Sequence, residues 1–70
     1  MKNERIYLYD NEQLARLIDL YVKGERDRAI LKRRLIDLIC YEPLAEEFNI
    51  STEWVRKIVY RAEKQLFKHI

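Results

Sequence analysis

The sequence predicts a small all-α domain of four helices, or five if the N-terminal arm is also helical. Apolar residues recur at helical spacing in four successive segments of the chain. The chain has only one Gly and one Pro, so it offers few sites for hairpin turns. Its 70 residues, 49% of them apolar, are enough for a single domain, 1–70, with a small core. The domain must therefore be held together by helix packing or by association with a partner.

The first helix follows an N-terminal arm, 1–9, in which no clear period is visible. Asp10 is a suitable N-cap, and Gln13 stands in the capping-box position three residues later. Gly24 stands where a left-handed residue would end the helix. The residues of its apolar stripe are Leu14, Leu17, Ile18, Tyr21 and Val22.

The second helix is expected from about Glu25 to Ile39. Ile36 widens its apolar stripe, so this helix should touch neighbours on two sides. Its basic residues lie mostly on the remaining surface. The residues expected to be buried are Ile30, Leu31, Leu35, Leu38 and Ile39.

The third helix is short and covers about Tyr41–Phe48, with Pro43 in its first turn, where a missing N–H does no harm. Its inner face should be Leu44, Ala45 and Phe48. A turn at Asn49-Ile50 follows, because Asn tolerates the left-handed conformation. Ser51 is a suitable N-cap for the last helix. The stripe of that helix is Val55, Ile58, Val59, Ala62 and Leu66.

Together, residues 41–68 have the pattern of a helix-turn-helix. Ala45 is small enough for two helices to cross closely, Asn49 fits the turn, and Ile50 can fill the gap between the helices. Val55 and Ile58 then anchor the second helix to the core. Five positions that agree with one arrangement favour it more than any of them alone.

If that stripe faces inward, the remaining faces of the last helix point outward. In this motif class, the N-terminal end of the second helix enters the DNA major groove. Arg56 could contact guanine, Glu53 a cytosine amino group, and Thr52 a phosphate or a thymine methyl group. Basic residues further along the helix are placed for phosphates. The predicted DNA-binding residues are Thr52, Glu53, Arg56, Lys57, Tyr60, Arg61, Lys64 and Lys68.

Residues 27–68 resemble region 4 of the bacterial sigma-70 family of sigma factors. The likeness is carried by Asp27-Arg28-Ala29-Ile30-Leu31, Arg34-Leu35, Tyr41-Glu42-Pro43-Leu44-Ala45-Glu46, Asn49-Ile50-Ser51, Val55-Arg56-Lys57-Ile58, Arg61-Ala62 and Leu66. In that family, region 4 reads the −35 promoter element and touches the flap of RNA polymerase. The resemblance implies a free-standing region-4-like regulator of the phage or mobile-element type. Cys40 stands at the family's Ser/Thr cap position, and Leu38 where many members have Gly.

The alternative function is a protein-interaction adaptor that binds RNA polymerase or another regulator through the helical surface. Homodimer formation through Tyr7, Tyr9 and the first helix is a further hypothesis. The only cysteine, Cys40, cannot form an internal disulfide and is expected to be a half-buried hydrophobe, while His69 should be frayed. The sequence therefore predicts no catalytic residues, cofactor or metal, no membrane span, and a cytoplasmic location.

Overall fold

The computed structural model describes residues 8–69, which form four helices joined by short connections. In chain order these are α1 (Asn11–Tyr21), α2 (Glu25–Leu35), α3 (Tyr41–Phe48) and α4 (Thr52–Phe67). The predicted all-α class is confirmed, and no strand is present among residues 8–69. Residues 1–7 of the predicted arm, including Tyr7, and residue 70 lie outside the described part of the chain.

The helix α1 begins at the capping box that the sequence predicts. The Asp10 carboxylate accepts a hydrogen bond from the Gln13 N–H at 2.7 Å, and the Gln13 side chain accepts one from the Asp10 N–H at 3.1 Å. These two bonds satisfy donors that the first turn of a helix leaves without a partner. The predicted inward residues Leu14, Ile18 and Val22 are buried.

Gly24 has positive φ, as expected, but it does not cap α1. The C-cap of α1 is Val22, in extended conformation, and Gly24 (φ 91°) instead precedes α2 as its N-cap. The reason is that Val22 is buried and turns the chain before Gly24 is reached. The freed Val22 carbonyl accepts a hydrogen bond from Arg28 Nε at 2.6 Å.

The prediction that α2 extends to Ile39 is wrong, because the helix ends at Leu35. Leu38 has a left-handed backbone (φ 59°) and is 73% exposed, so it is not part of the core. The Ile39 N–H reaches back to the Arg33 carbonyl at 3.1 Å, and Ile39 packs against the core from outside the helix. Leu38 and Ile39 continue the apolar spacing of α2, but they lie beyond its last residue and share no helical face with it.

The turn between α3 and α4 has the conformation that its residues favour. Asn49 is left-handed (φ 58°), and the N–H groups of Asn49 and Ile50 donate to the carbonyls of Glu46 and Ala45 at 3.2 and 3.0 Å. This pair of bonds is a Schellman motif. The Ser51 hydroxyl accepts from the Trp54 N–H at 3.1 Å and caps α4 as predicted. Cys40 precedes α3 but makes no such side-chain bond.

The helix α4 lies at the centre of the domain and packs against each of the other three. Ala45 on α3 is only 5% exposed, as expected for the small residue at a close helix crossing. Complete burial of one Leu, Ile or Val contributes roughly 1.5–3 kcal/mol. The buried apolar residues are Leu14, Ile18, Val22, Ile30, Leu31, Leu44, Ala45, Val55, Ile58, Val59, Ala62 and Leu66.

Ion pairs on the surface join the helices in pairs. Lys32 on α2 contacts Asp19 on α1, with 2.7 Å between Nζ and Oδ1. Arg33 on α2 donates to both carboxylate oxygens of Glu47 on α3, at 2.8–3.1 Å, and also to Asp37 at 2.9 Å. Hydrogen bonds to Glu47 and then Asp37 raise the pKa of the Arg33 guanidinium above its ordinary value. These exposed pairs fix geometry more than they add stability.

Candidate nucleic-acid interface

The helix α4 has two distinct faces. The predicted stripe is buried in full: Val55, Ile58, Val59, Ala62 and Leu66 are each at most 1% exposed. Because an α-helix has 3.6 residues per turn, the positions between these five lie on the opposite side and face solvent. The exposed face begins directly after the Ser51 cap, so the N-terminal turns of α4 are open at the surface.

The eight residues predicted to bind DNA all lie on this outer side or at its edge. Thr52, in the first turn, is half-buried, and Tyr60 is 62% exposed. Lys68 follows the last helical residue as the C-cap. The exposed members of the set are Glu53, Arg56, Lys57, Tyr60, Arg61, Lys64 and Lys68.

Arg61 differs from the other basic residues of this face because it is held by an acid. Its Nη2 donates to Oδ2 of Asp27 on α2 at 2.8 Å, and the Asp27 side chain is mostly covered. Arg26 approaches the other oxygen of the same carboxylate at 3.7 Å. A phosphate would therefore have to compete with Asp27 for Arg61, which reduces what this residue can contribute to anion binding.

Tyr41, at the start of α3, brings together basic residues from two helices. The guanidinium carbons of Arg34 on α2 and Arg56 on α4 lie 4.7 and 5.6 Å from the centre of its ring. Cation–π contacts at this distance orient the charge over the ring without neutralising it. Sequence reasoning missed Arg34 and Tyr41 as parts of this face, since they are distant in the chain and no spacing rule connects them to Arg56.

A shallow hollow of about 310 Å³ lies beside this cluster. Arg56 and Lys57 supply two positive charges to it, Glu63 supplies one negative charge, and Tyr41 and Tyr60 supply aromatic surface. Lys64 lies 4.9 Å from the centre of the Tyr60 ring, one turn further along α4. The middle of the outer face of α4 thus combines cations with aromatic rings, a combination suited to phosphates and nucleic-acid bases.

The N-terminal end of α4 has a different charge. A hollow of about 540 Å³ there is lined by Glu42 and Glu46 from α3 and by Asn49, Ser51 and Thr52. All five side chains can accept hydrogen bonds from amino groups, and the two glutamates repel phosphate.

Four other residues have environments that bear on the sequence analysis: Cys40, His69, Trp54 and Tyr9. Cys40 is exposed rather than half-buried, because α2 ends early and leaves it in the connection. His69 is not frayed: its ring stacks on Tyr21 with 4.1 Å between centroids and 8° between planes. Trp54 is 41% exposed and lies outside the core stripe of α4. Tyr9 is half-buried and packs against the core.

Within residues 8–69, no three His, Cys, Asp or Glu side chains are grouped so that they could hold a metal ion. None of the four helices has the length and apolar character needed to cross a lipid bilayer. Comparison of the chain with protein-family models, with curated proteins and with solved structures gives no match.

Proposed function

We propose that this chain is a DNA-binding transcription regulator that reads duplex DNA with the outer face of α4, in the manner expected from its resemblance to region 4 of the sigma-70 family. The observation that carries the proposal is the pairing of two features on one helix. The inner stripe of α4 is fully buried, while its N-terminal half exposes Arg56 and Lys57 immediately after a tight turn. A helix held in this way can enter a major groove without rearrangement of the domain.

The proposed roles follow from position on α4. Arg56 in the second turn would contact a guanine edge, and Glu53 and Thr52 would contact bases or the adjoining phosphate. Lys57, Lys64 and Lys68 would contact phosphates and set the register of the helix on DNA. Arg61 would contribute less, because Asp27 competes for its guanidinium.

The test begins with selection of binding sites from random duplex DNA, followed by fluorescence anisotropy at several salt concentrations. We expect Arg56→Ala to lose about 1–3 kcal/mol of binding free energy on the selected site and to relax the preference at one base pair. Lys64→Ala should weaken binding about equally on all sequences and flatten the salt slope by about one unit.

Lys23→Ala is the matched control for both variants. Lys23 is an exposed cation between α1 and α2, and only its backbone N–H bonds to Gln65, so the substitution leaves that contact in place. It removes one positive charge at a distance from the N-terminal half of α4 and should change affinity little. If Arg56→Ala leaves both affinity and base preference at the level of the Lys23→Ala control, α4 is not a reading helix.

The second proposal is a protein-interaction adaptor, and the exposure of Trp54 at the start of α4 favours it. Aromatic residues with a large exposed surface are over-represented in protein interfaces. If RNA polymerase is the principal ligand, labelled chain should bind purified bacterial RNA polymerase without DNA, and Trp54→Ala should weaken that binding. Binding to the polymerase that Trp54→Ala leaves unchanged, or no binding at all, would count against the adaptor.

A further inference from the structure

The outer face of α1 carries an apolar hollow and one protruding leucine among polar side chains. Tyr9, Gln13 and Leu17 line a hollow of about 270 Å³, with Arg16 and Leu20 at the same site. Leu20 is 69% exposed, and Leu8, just before the helix, is 78% exposed. Isolated exposed apolar residues are common, but here Leu20 borders an apolar hollow at one end of α1, and Leu8 is exposed just before its other end.

The charges on the same face are arranged for contact with a copy of itself. Glu12 and Arg16 are one helical turn apart and so are neighbours on α1. Within residues 8–69, neither side chain makes a hydrogen bond or an ion pair. A face that offers one acid and one base at this spacing is complementary to its own two-fold image.

We infer that two copies of this chain associate through α1, with the two helices antiparallel across a two-fold axis near the turn from Glu12 to Arg16. In this register Arg16 of each copy opposes Glu12 of the other. The same register brings Leu20 of each copy against Leu8 and Tyr9 of the other, at the edge of the apolar hollow. A single alignment thus satisfies the charges and covers the exposed leucines together.

This contact would leave the proposed DNA-binding half of α4 open. The C-terminal ends of α1 and α4 lie together, since Tyr21 stacks on His69 and the Lys23 N–H donates to Gln65 at 3.2 Å. Arg56 and Lys57 are two to three turns away on α4, toward its other end. The inference does not depend on the proposed function, because it concerns a different helix face.

The association should be weak because α1 has only 11 residues, or roughly 16 Å of helix. Such a face buries less than a standard interface, which is about 1,600 Å² in total. We expect a dissociation constant on the order of tens to hundreds of micromolar. Sedimentation equilibrium of the full chain from about 10 µM to 1 mM should show the mean mass rising from 8.6 kDa toward twice that value.

Leu20→Glu should keep the protein monomeric over this range. Leu38→Glu is the matched control, because it changes an equally exposed leucine outside α1. Circular dichroism should show both variants folded, since neither leucine is in the core. A wild-type protein that stays monomeric at 1 mM, or a control that disrupts association as strongly as Leu20→Glu, would overturn the inference.

Charge reversal tests the register itself. Arg16→Glu and Glu12→Arg should each weaken association about three- to tenfold, since each places like charges opposite one another twice. The double variant restores opposite charges across the axis and should return to within about twofold of wild type. Single reversals without effect would exclude the antiparallel pairing. Association that begins only after residues 1–7 are removed would show instead that the chain's own arm covers this face.

Discussion

The connections before and after α3 have the same backbone pattern but use different residues at its key positions. Each contains one residue with left-handed backbone followed by an N-cap, but the turn after α3 uses Asn49 and Ser51, whereas the connection before it uses Leu38 and Cys40. Asn tolerates positive φ and a Ser hydroxyl caps a helix, while Leu and Cys do neither well. The chain is therefore locally consistent where the proposed reading helix begins and locally strained one helix earlier.

The close approach of α3 and α4 depends on a small side chain at Ala45, which is buried between them. Ala45→Leu should destabilise the protein by about 2–3 kcal/mol, because three extra carbon atoms at a 5% exposed crossing force the helices apart. Ala15→Leu on α1 is the control, at a half-buried position, and should cost under about 1 kcal/mol. Urea unfolding followed by circular dichroism measures both. An Ala45→Leu protein as stable as its control would mean that no methyl-sized contact is required here.

The same contrast explains which parts of the fold the sequence could predict. Between Tyr41 and Leu66 the helix bounds, the left-handed Asn49, the Ser51 cap and the buried stripe are all as expected, because spacing and residue type agree there. At the end of α2 the apolar spacing continued through Leu38 and Ile39 while the backbone left the helix. Period alone cannot locate a helix end where no Gly, Asn or Pro marks it.

The sequence could predict which side chains α4 exposes, but not which residues of other helices those side chains contact. Exposure of Arg56 and Lys57 follows from the buried stripe on their own helix. The contact of Arg56 with Tyr41 and the capture of Arg61 by Asp27 are long-range packing results that no local pattern encodes. The apolar spacing within one helix thus predicts which way a side chain points, whereas the residues that it contacts depend on how the helices pack.

Removal of the strain at Leu38 should show how much the left-handed backbone costs in the connection before α3. Leu38→Gly is expected to stabilise the protein by about 0.5–1 kcal/mol, because Gly avoids the Cβ clash of the left-handed region and little burial is lost from a side chain that is 73% exposed. The melting temperature should rise by roughly 2–8 °C for a domain of this size. Leu38→Ala removes most of the same side chain but keeps Cβ, so it should give no such gain. Equal gains from both variants would attribute the effect to the lost leucine rather than to the backbone.

Substitutions at the two N-caps should change stability in opposite directions. Cys40→Ser should stabilise α3 by about 0.5 kcal/mol, because the extended backbone at Cys40 allows a serine oxygen to accept from the Glu42 N–H. The next residue, Pro43, has no N–H, so the stronger bond that Ser51 makes to Trp54 has no counterpart here. Ser51→Ala should cost about 1 kcal/mol, since it removes the bond from Trp54 at 3.1 Å. Thermal unfolding under reducing conditions measures both changes. Cys40→Ala separates a new hydrogen bond from simple loss of the thiol, because only the serine can accept. If Cys40→Ser and Cys40→Ala give the same stability, the two connections differ in backbone strain alone. A Ser/Thr-type cap at position 40 would then add nothing to the stability of α3.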